Sequence, residues 1–274
     1  MKARKAVDYG VRYAVLVTAA ILFVFPFYWM LVTSLNRPDT VFDFPPLLWP
    51  QWQFGNYLEA WKAADWPLFF TNTLVVAAGR ILFVLVTSAL AGYAFAAMEF
   101  PGRNLLFAAV VAMFIIPAEV TLIPNFIILK NLGWIDSYQA QIVPFGATVF
   151  GIFLMRQFFL TLPRDLWEAA QLDGSTHLRY LLSIALPLSR PALVTLALLQ
   201  FVDGWNAFLW PLIVTSTDAR RPIQVALAYF NAIDSTQPIL LAAGALMTTL
   251  PLLVVFLLAQ RQIVGGIAGT GIRG

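Results

Sequence analysis

The 274-residue chain is 60% hydrophobic and 11% charged, with a mean hydropathy of +0.78, whereas soluble domains carry about 25% charged residues. It lacks the charges to coat a water-facing surface, and its net charge of +3 comes from scattered basic residues, which suits membrane flanks better than nucleic-acid binding. The absence of cysteine excludes disulfides, thiolate metal sites and cysteine nucleophiles, and the lone histidine, His177, argues against a histidine metal site.

A helix crosses about 30 Å of hydrocarbon with about 20 apolar residues. Six stretches meet this, roughly 11–35, 70–98, 105–129, 139–159, 187–214 and 239–259. They are apolar throughout rather than alternating, so the expected fold is an all-α membrane protein of six transmembrane helices, one domain over 1–274. Lys2, Arg4 and Lys5 precede the first run as in a signal peptide. That run far exceeds the roughly 7–15 residues of a cleavable core, so it reads as a retained span.

Six spans put both termini on one side. Lys2, Arg4, Lys5, Arg103, Arg164, Arg179, Arg261 and Arg273 fall there, with Arg12, Arg156 and Arg190 at span ends. The other side holds Arg37, Lys62, Lys130, Arg220 and Arg221. The positive-inside rule therefore predicts cytoplasmic termini.

The outer loop from Asn36 to Phe69 carries Phe42, Phe44, Trp49, Trp52, Phe54, Tyr57, Trp61 and Trp66, aromatics suited to the headgroup level. In the second span Ser88, Gly92 and Ala96 recur every four residues, which permits close helix packing within the chain or against another subunit. Polar groups inside spans are costly and point to function or to inter-helix hydrogen bonds. They are Glu119 and Asn125 near Pro117 and Pro124 in the third span, and Asp203, Trp205 and Asn206 in the fifth. An indole beside carboxylates and amides suits a sugar's C–H faces and hydroxyls. Arg80 in the second span is either an acid's partner or a side chain reaching the outer interface. A polar outer loop is expected over 216–238.

The loop 160–186, between the fourth and fifth spans, reads LPRDLWEAAQLDGSTHLRYLLSIALP over 162–187. Asp165 is placed as an N-cap with Glu168 completing a capping box, and Gly174 ends the helix 166–173. Ser175 is placed to cap a second helix running toward Pro187. Ala169 and Ala170 offer a shallow surface for another protein, and Leu166 and Trp167 larger anchors. His177 is expected to face solvent or a partner. No phosphate-binding G-x-x-x-x-G-K-[ST] motif occurs. The G-x-G-x-x-G of Gly269, Gly271 and Gly274 has no helix after it and is rejected as a nucleotide site.

Glu168-Ala169-Ala170, Gly174 after three residues, and Ile184-Ala185-Leu186-Pro187 after nine more resemble the EAA loop of bacterial ABC importer permeases. Glu99-Phe100-Pro101-Gly102-Arg103, Ile116-Pro117-Ala118-Glu119, Leu122-Ile123-Pro124, Trp205-Asn206, Pro211-Leu212 and the tail from Gln260 through Ile272-Arg273-Gly274 are similar to the carbohydrate-uptake branch, which includes maltose-type permeases. A large extracytoplasmic insert is absent, as in the shorter of the two permease subunits.

The resemblance implies a coupling surface of Leu166, Trp167, Glu168, Ala169, Ala170, Asp173, Gly174, Leu186 and Pro187. It implies no cofactor on this chain, with ATP and magnesium on a partner ATPase dimer. It also implies a second permease, an extracytoplasmic solute-binding protein and the lipid of the cytoplasmic membrane as partners. Glycerol 3-phosphate permeases are a related branch, and an ATP-independent secondary transporter or channel and a scaffold subunit are the rival classes.

Overall fold

The computed structural model describes residues 2–233 and 238–268, and among these all regular structure is helical. In chain order the helices are α1 (Lys2–Ser34), α2 (Gly55–Lys62), α3 (Trp66–Ala97), α4 (Arg103–Ala112), α5 (Leu122–Asn131), α6 (Tyr138–Ile142), α7 (Val149–Leu160), α8 (Arg164–Leu172) and α9 (His177–Tyr180). Beyond a π-helical turn at Leu181–Ala185 come α10 (Leu186–Leu188), α11 (Arg190–Trp205), α12 (Leu209–Val214), α13 (Ile223–Ile233) and α14 (Pro238–Ala268). Gly269, Gly271 and Gly274 lie outside the described residues.

Three helical stretches are long and apolar enough to cross a membrane: Tyr9–Ser34, Trp66–Ala97 and Pro238–Leu258. The other expected spans are bent pairs: Arg103–Ile115 with Ala118–Asn131 at 95°, Tyr138–Phe145 with Val149–Leu160 at 45°, and His177–Leu188 with Arg190–Trp205 at 79°. Counting each pair as one span gives up to six. The first break follows from Pro117, which pushes Ile116 into extended backbone (φ −82°, ψ 113°). The expected span 187–214 is further cut between α11 and α12, at Asn206 to Phe208.

The chain divides into two compact units. One comprises residues up to Trp66 and Leu227–Pro251. Here α1 is exposed along most of its length, as a lipid-facing helix is. The Asn56 amide donates to Ser34 O and Asn36 O, both at 2.9 Å, and ties α2 to the end of α1. Phe42, Phe44, Trp49, Trp52 and Phe54 are exposed, as headgroup aromatics require. Trp66 corrects that expectation. It is fully buried, donates from Nε1 to Ala60 O at 2.7 Å and packs edge-on against Phe230.

The other unit comprises Pro67–Ala226 and the described residues from Leu252 onward. Its main core joins α3, α7, α8, α9 and α11 through Val84, Tyr93, Met155, Phe159, Ala170 and Leu196. The small-residue stripe of α3 serves this internal packing. A Cβ on Gly92 would lie 2.8 Å from Met155 Cβ and 2.9 Å from the Arg156 backbone N, closer than real Cβ atoms come. Ser88 faces Gly151 in the same way, and Ala96 packs at the core edge.

The segment expected as a polar loop over 216–238 is mostly built structure. Asn72 Nδ2 donates to Arg221 O at 3.0 Å, Gln141 Nε2 donates to Arg220 O at 3.0 Å, and the Thr73 hydroxyl accepts from Ile223 N at 2.8 Å. Asp136 accepts from Ser216 N (2.9 Å), Thr217 N (3.1 Å) and the Thr217 hydroxyl (2.7 Å). Partial burial alone raises the Asp136 carboxyl, but these bonds and nearby Arg220 outweigh it and hold the group below its ordinary range.

Candidate functional site

Two sites form in the second unit. The first is the loop between α7 and α11. Pro163 opens α8 as its N-cap (φ −57°, ψ 134°) and supplies no side-chain cap. Asp165 therefore sits inside the first turn rather than at the cap, and Glu168 completes no capping box. An acid in the first turn still opposes the positive end of the helix dipole.

At the other end the backbone makes a Schellman turn. Ser175 N donates to Ala170 O and Gly174 N to Gln171 O, both at 2.9 Å. Gly174 sits at φ +73°, which the sequence anticipates. The cap of α9 is Thr176, not Ser175: its hydroxyl accepts from Arg179 N at 3.3 Å.

An aromatic stack fixes the loop to the end of α3. Trp167 lies flat on His177 with centroids 4.3 Å apart, and meets Tyr180 edge-on at 5.1 Å. His177 Nδ1 is 3.0 Å from the Tyr93 hydroxyl. His177 is thus half-buried between two aromatics. Beside the stack lies a cavity of about 580 Å³, lined by Tyr93, Glu99, Arg103, Arg164, Glu168 and His177 among others.

The residues expected on the coupling surface divide accordingly. Leu166, Glu168, Ala169, Asp173, Gly174 and Pro187 are exposed, whereas Trp167, Ala170 and Leu186 turn into the core. Leu172, which the sequence reading missed, is 90% exposed. Its signal was spacing: Leu166, Ala169 and Leu172 follow one another at three residues and share a helix face.

The second site surrounds Arg80. Its side chain is 2% exposed, donates from Nε to Gln141 O at 2.8 Å, and stacks over the Phe145 ring at 3.9 Å. NH1 lies 3.6 Å from Asp203 Oδ2, so of the two readings the structure selects the acid's partner. Arg80, Phe145, Asp203, Asn206, Phe208 and Trp210 line a cavity of about 410 Å³ with Val202, Ala207 and Pro211.

The other residues expected on a substrate path do not gather there. Trp205 is buried and packs on Phe70 and Phe201. Glu119 is exposed on a 3₁₀ turn at the 95° elbow, and Asn125 is half-buried in the first turns of α5.

The family described as binding-protein-dependent transport system inner membrane component matches residues 85–264. The chain is 34% identical over 268 residues to the sn-glycerol-3-phosphate transport system permease protein UgpE of Yersinia enterocolitica, spanning 93% of this chain and 94% of that relative. It is 30% identical over 262 residues to the arabinooligosaccharides transport system permease protein AraQ of Bacillus subtilis, spanning 93% and 92%. A bacterial ABC transporter involved in the import of the acidic polysaccharide alginate contains a chain of the same fold, at TM-score 0.83 and 23% identity, covering 94% of this chain and 97% of that one. The match of 85–264 takes in the loop between α7 and α11 and the lining of the second site apart from Arg80, and the chain belongs to the family of binding-protein-dependent transport system inner membrane components.

Proposed function

We propose that this chain is the shorter permease half of an ATP-driven importer that carries a carbohydrate across the cytoplasmic membrane by alternating access. The observation that carries the proposal is the loop at α8 and α9: an exposed face of Leu166, Ala169 and Leu172 on a helix whose opposite face is locked to α3 by Trp167, His177 and Tyr93. A push on the outer face can move α3 as a body rather than dissipate in a mobile loop.

In this reading the chain crosses the membrane six times with both termini in the cytoplasm. The ATPase dimer, holding ATP and magnesium, closes on α8. The displacement passes through the aromatic stack to α3, and through the tight contact at Gly92 to α7. The bent pairs supply places for the spans to pivot. A second permease completes the pathway, and a solute-binding protein delivers the solute from outside. A second reading, a sugar-phosphate importer, draws on the 34% identity to the Yersinia relative. The two readings differ in the charge of the solute.

The chain has no cysteine, so a single introduced thiol is unique. In the assembled complex, Ala169→Cys and Leu172→Cys are expected to cross-link to the ATPase, and Ile21→Cys on α1 is not. Failure of both loop thiols to reach the ATPase would contradict the coupling role of α8.

A further inference from the structure

We infer that Asp203 is a solute-facing specificity residue, that Arg80 is its positioning residue, and that the solute passing them is neutral and hydroxyl-rich rather than anionic. This rests on the importer reading above.

A phosphate or uronate crossing an apolar region needs a positive charge or strong donors to replace its water. Among the described residues Arg80 is the only basic one lining the cavity, and its guanidinium is paired with Asp203. Nε is bonded to Gln141 O, the guanidinium face covers Phe145, and NH1 faces Asp203. The side chain is 2% exposed, so the solute does not meet it directly.

The solute instead meets the Asp203 carboxylate, 64% exposed, whose only partner among the described residues is Arg80. Asn206 lies beside it; its amide nitrogen donates to Val202 O at 2.8 Å, and its oxygen takes no hydrogen bond among the described residues. Trp210 Nε1 is used on Ala140 O at 2.9 Å. The exposed polar wall therefore presents the Asp203 carboxylate and the Asn206 amide, acceptors with one spare amide N–H, while the Arg80 donors lie buried behind them. A sugar hydroxyl donates to such a wall, while Phe208 and Val202 supply an apolar surface for C–H faces. A phosphate monoester or a uronate has no donor at its charged group and faces a carboxylate of the same sign.

Arg80 also has a cost that packing alone does not explain. Its NH2 is buried without a hydrogen-bond partner, in a stretch where an apolar side chain would fill the space more cheaply. What the guanidinium supplies, and an apolar residue cannot, is a charged partner that orients the carboxylate at position 203.

The test uses proteoliposomes holding the full complex: this chain, the second permease, the ATPase and the binding protein. The probes are a mixture of neutral di- to tetrasaccharides, the same mixture oxidised at C6 to uronates, and glycerol 3-phosphate, with the vesicle interior read by mass spectrometry. ATP-driven entry of neutral species over both anionic classes is expected. Asp203→Asn should lower neutral uptake at least roughly tenfold, the worth of one hydrogen bond to a charged group. Arg80→Gln should lower the neutral-to-anionic ratio in the same direction, and Arg80→Lys should partly restore it, which a purely structural role would not produce. If Arg80→Gln does not assemble, Asp203→Asn and Arg80→Lys carry the test.

Entry of glycerol 3-phosphate or uronates as well as, or better than, neutral sugars overturns this inference and leaves the importer reading standing. Loss of co-purification with the second permease in Asp203→Asn also overturns it, since Asp203 would then be an interface residue. Entry independent of ATP, or entry of no probe, overturns the importer reading itself.

Discussion

Gly174 offers a clean perturbation of the loop proposed to couple this chain to an ATPase. It sits at φ +73°, and a Cβ placed there meets nothing within 4 Å, so any substitution penalty comes from the backbone and not from a clash. For an L residue the left-handed conformation costs about 1–2 kcal/mol. Gly174→Ala should lose that amount, Gly174→Asn less, and Gly174→Val more, because β-branching crowds the left-handed region further. The turn holds two amides, Gly174 N on Gln171 O and Ser175 N on Ala170 O. A loss of 1–2 kcal/mol raises their open population about 5–30-fold. Hydrogen exchange on the purified complex should show these amides speeding up in the order Asn, Ala, Val. The ratio of solute imported to ATP hydrolysed should fall in the same order. A Val variant with wild-type exchange and wild-type coupling would refute the reasoning.

Two further predictions follow from the same unit. Gly92→Leu should destabilise the chain by about 1–3 kcal/mol or more, read as a lower Tm in detergent, because the Arg156 backbone N at 2.9 Å from the new Cβ cannot give way as a flexible side chain would. Asp136→Asn should destabilise near neutral pH, because the charge is lost and the Oδ2 acceptor of the Thr217 hydroxyl becomes a donor. Since the folded carboxyl is held below its ordinary value, its contribution is fully present above the unfolded value of about 3.9 and is lost as pH falls through the lower folded value. The gap in Tm between wild type and Asp136→Asn should therefore close on acidification below about pH 4; a gap that widened would contradict the sign.

Much of this was legible in residues whose effect is local. Hydropathy finds the long helices because composition alone decides them, and Gly174 is visible because few other residues tolerate its φ. Breaks are harder to read. Pro117 signals one elbow, but a hydropathy window averages across the turns at Gly146 and Ser189 and reports unbroken spans. Aromatics mislead for a related reason: Trp66 and Trp49 look alike in sequence, yet one finds Phe230 and the other remains exposed.

The caps of α8 and α9 are harder to read: Pro163 holds the N-cap position of α8 with no side-chain bond, two residues before Asp165, and Thr176 rather than Ser175 caps α9. The contacts that matter most, Tyr93 with His177 and Arg80 with Asp203, join residues 84 and 123 positions apart, and no local pattern announces them. Sequence narrowed the candidates for Arg80 to an acid or the interface. Geometry chose Asp203 and left Glu119 elsewhere.

The central claim is that this chain imports solute only under ATP drive from a separate motor. The most direct measurement is uptake into proteoliposomes of the reconstituted complex, with ATP, with a non-hydrolysable analogue, and with an ATPase subunit unable to hydrolyse ATP. The account predicts accumulation with ATP alone. Equal uptake in all three conditions would contradict it.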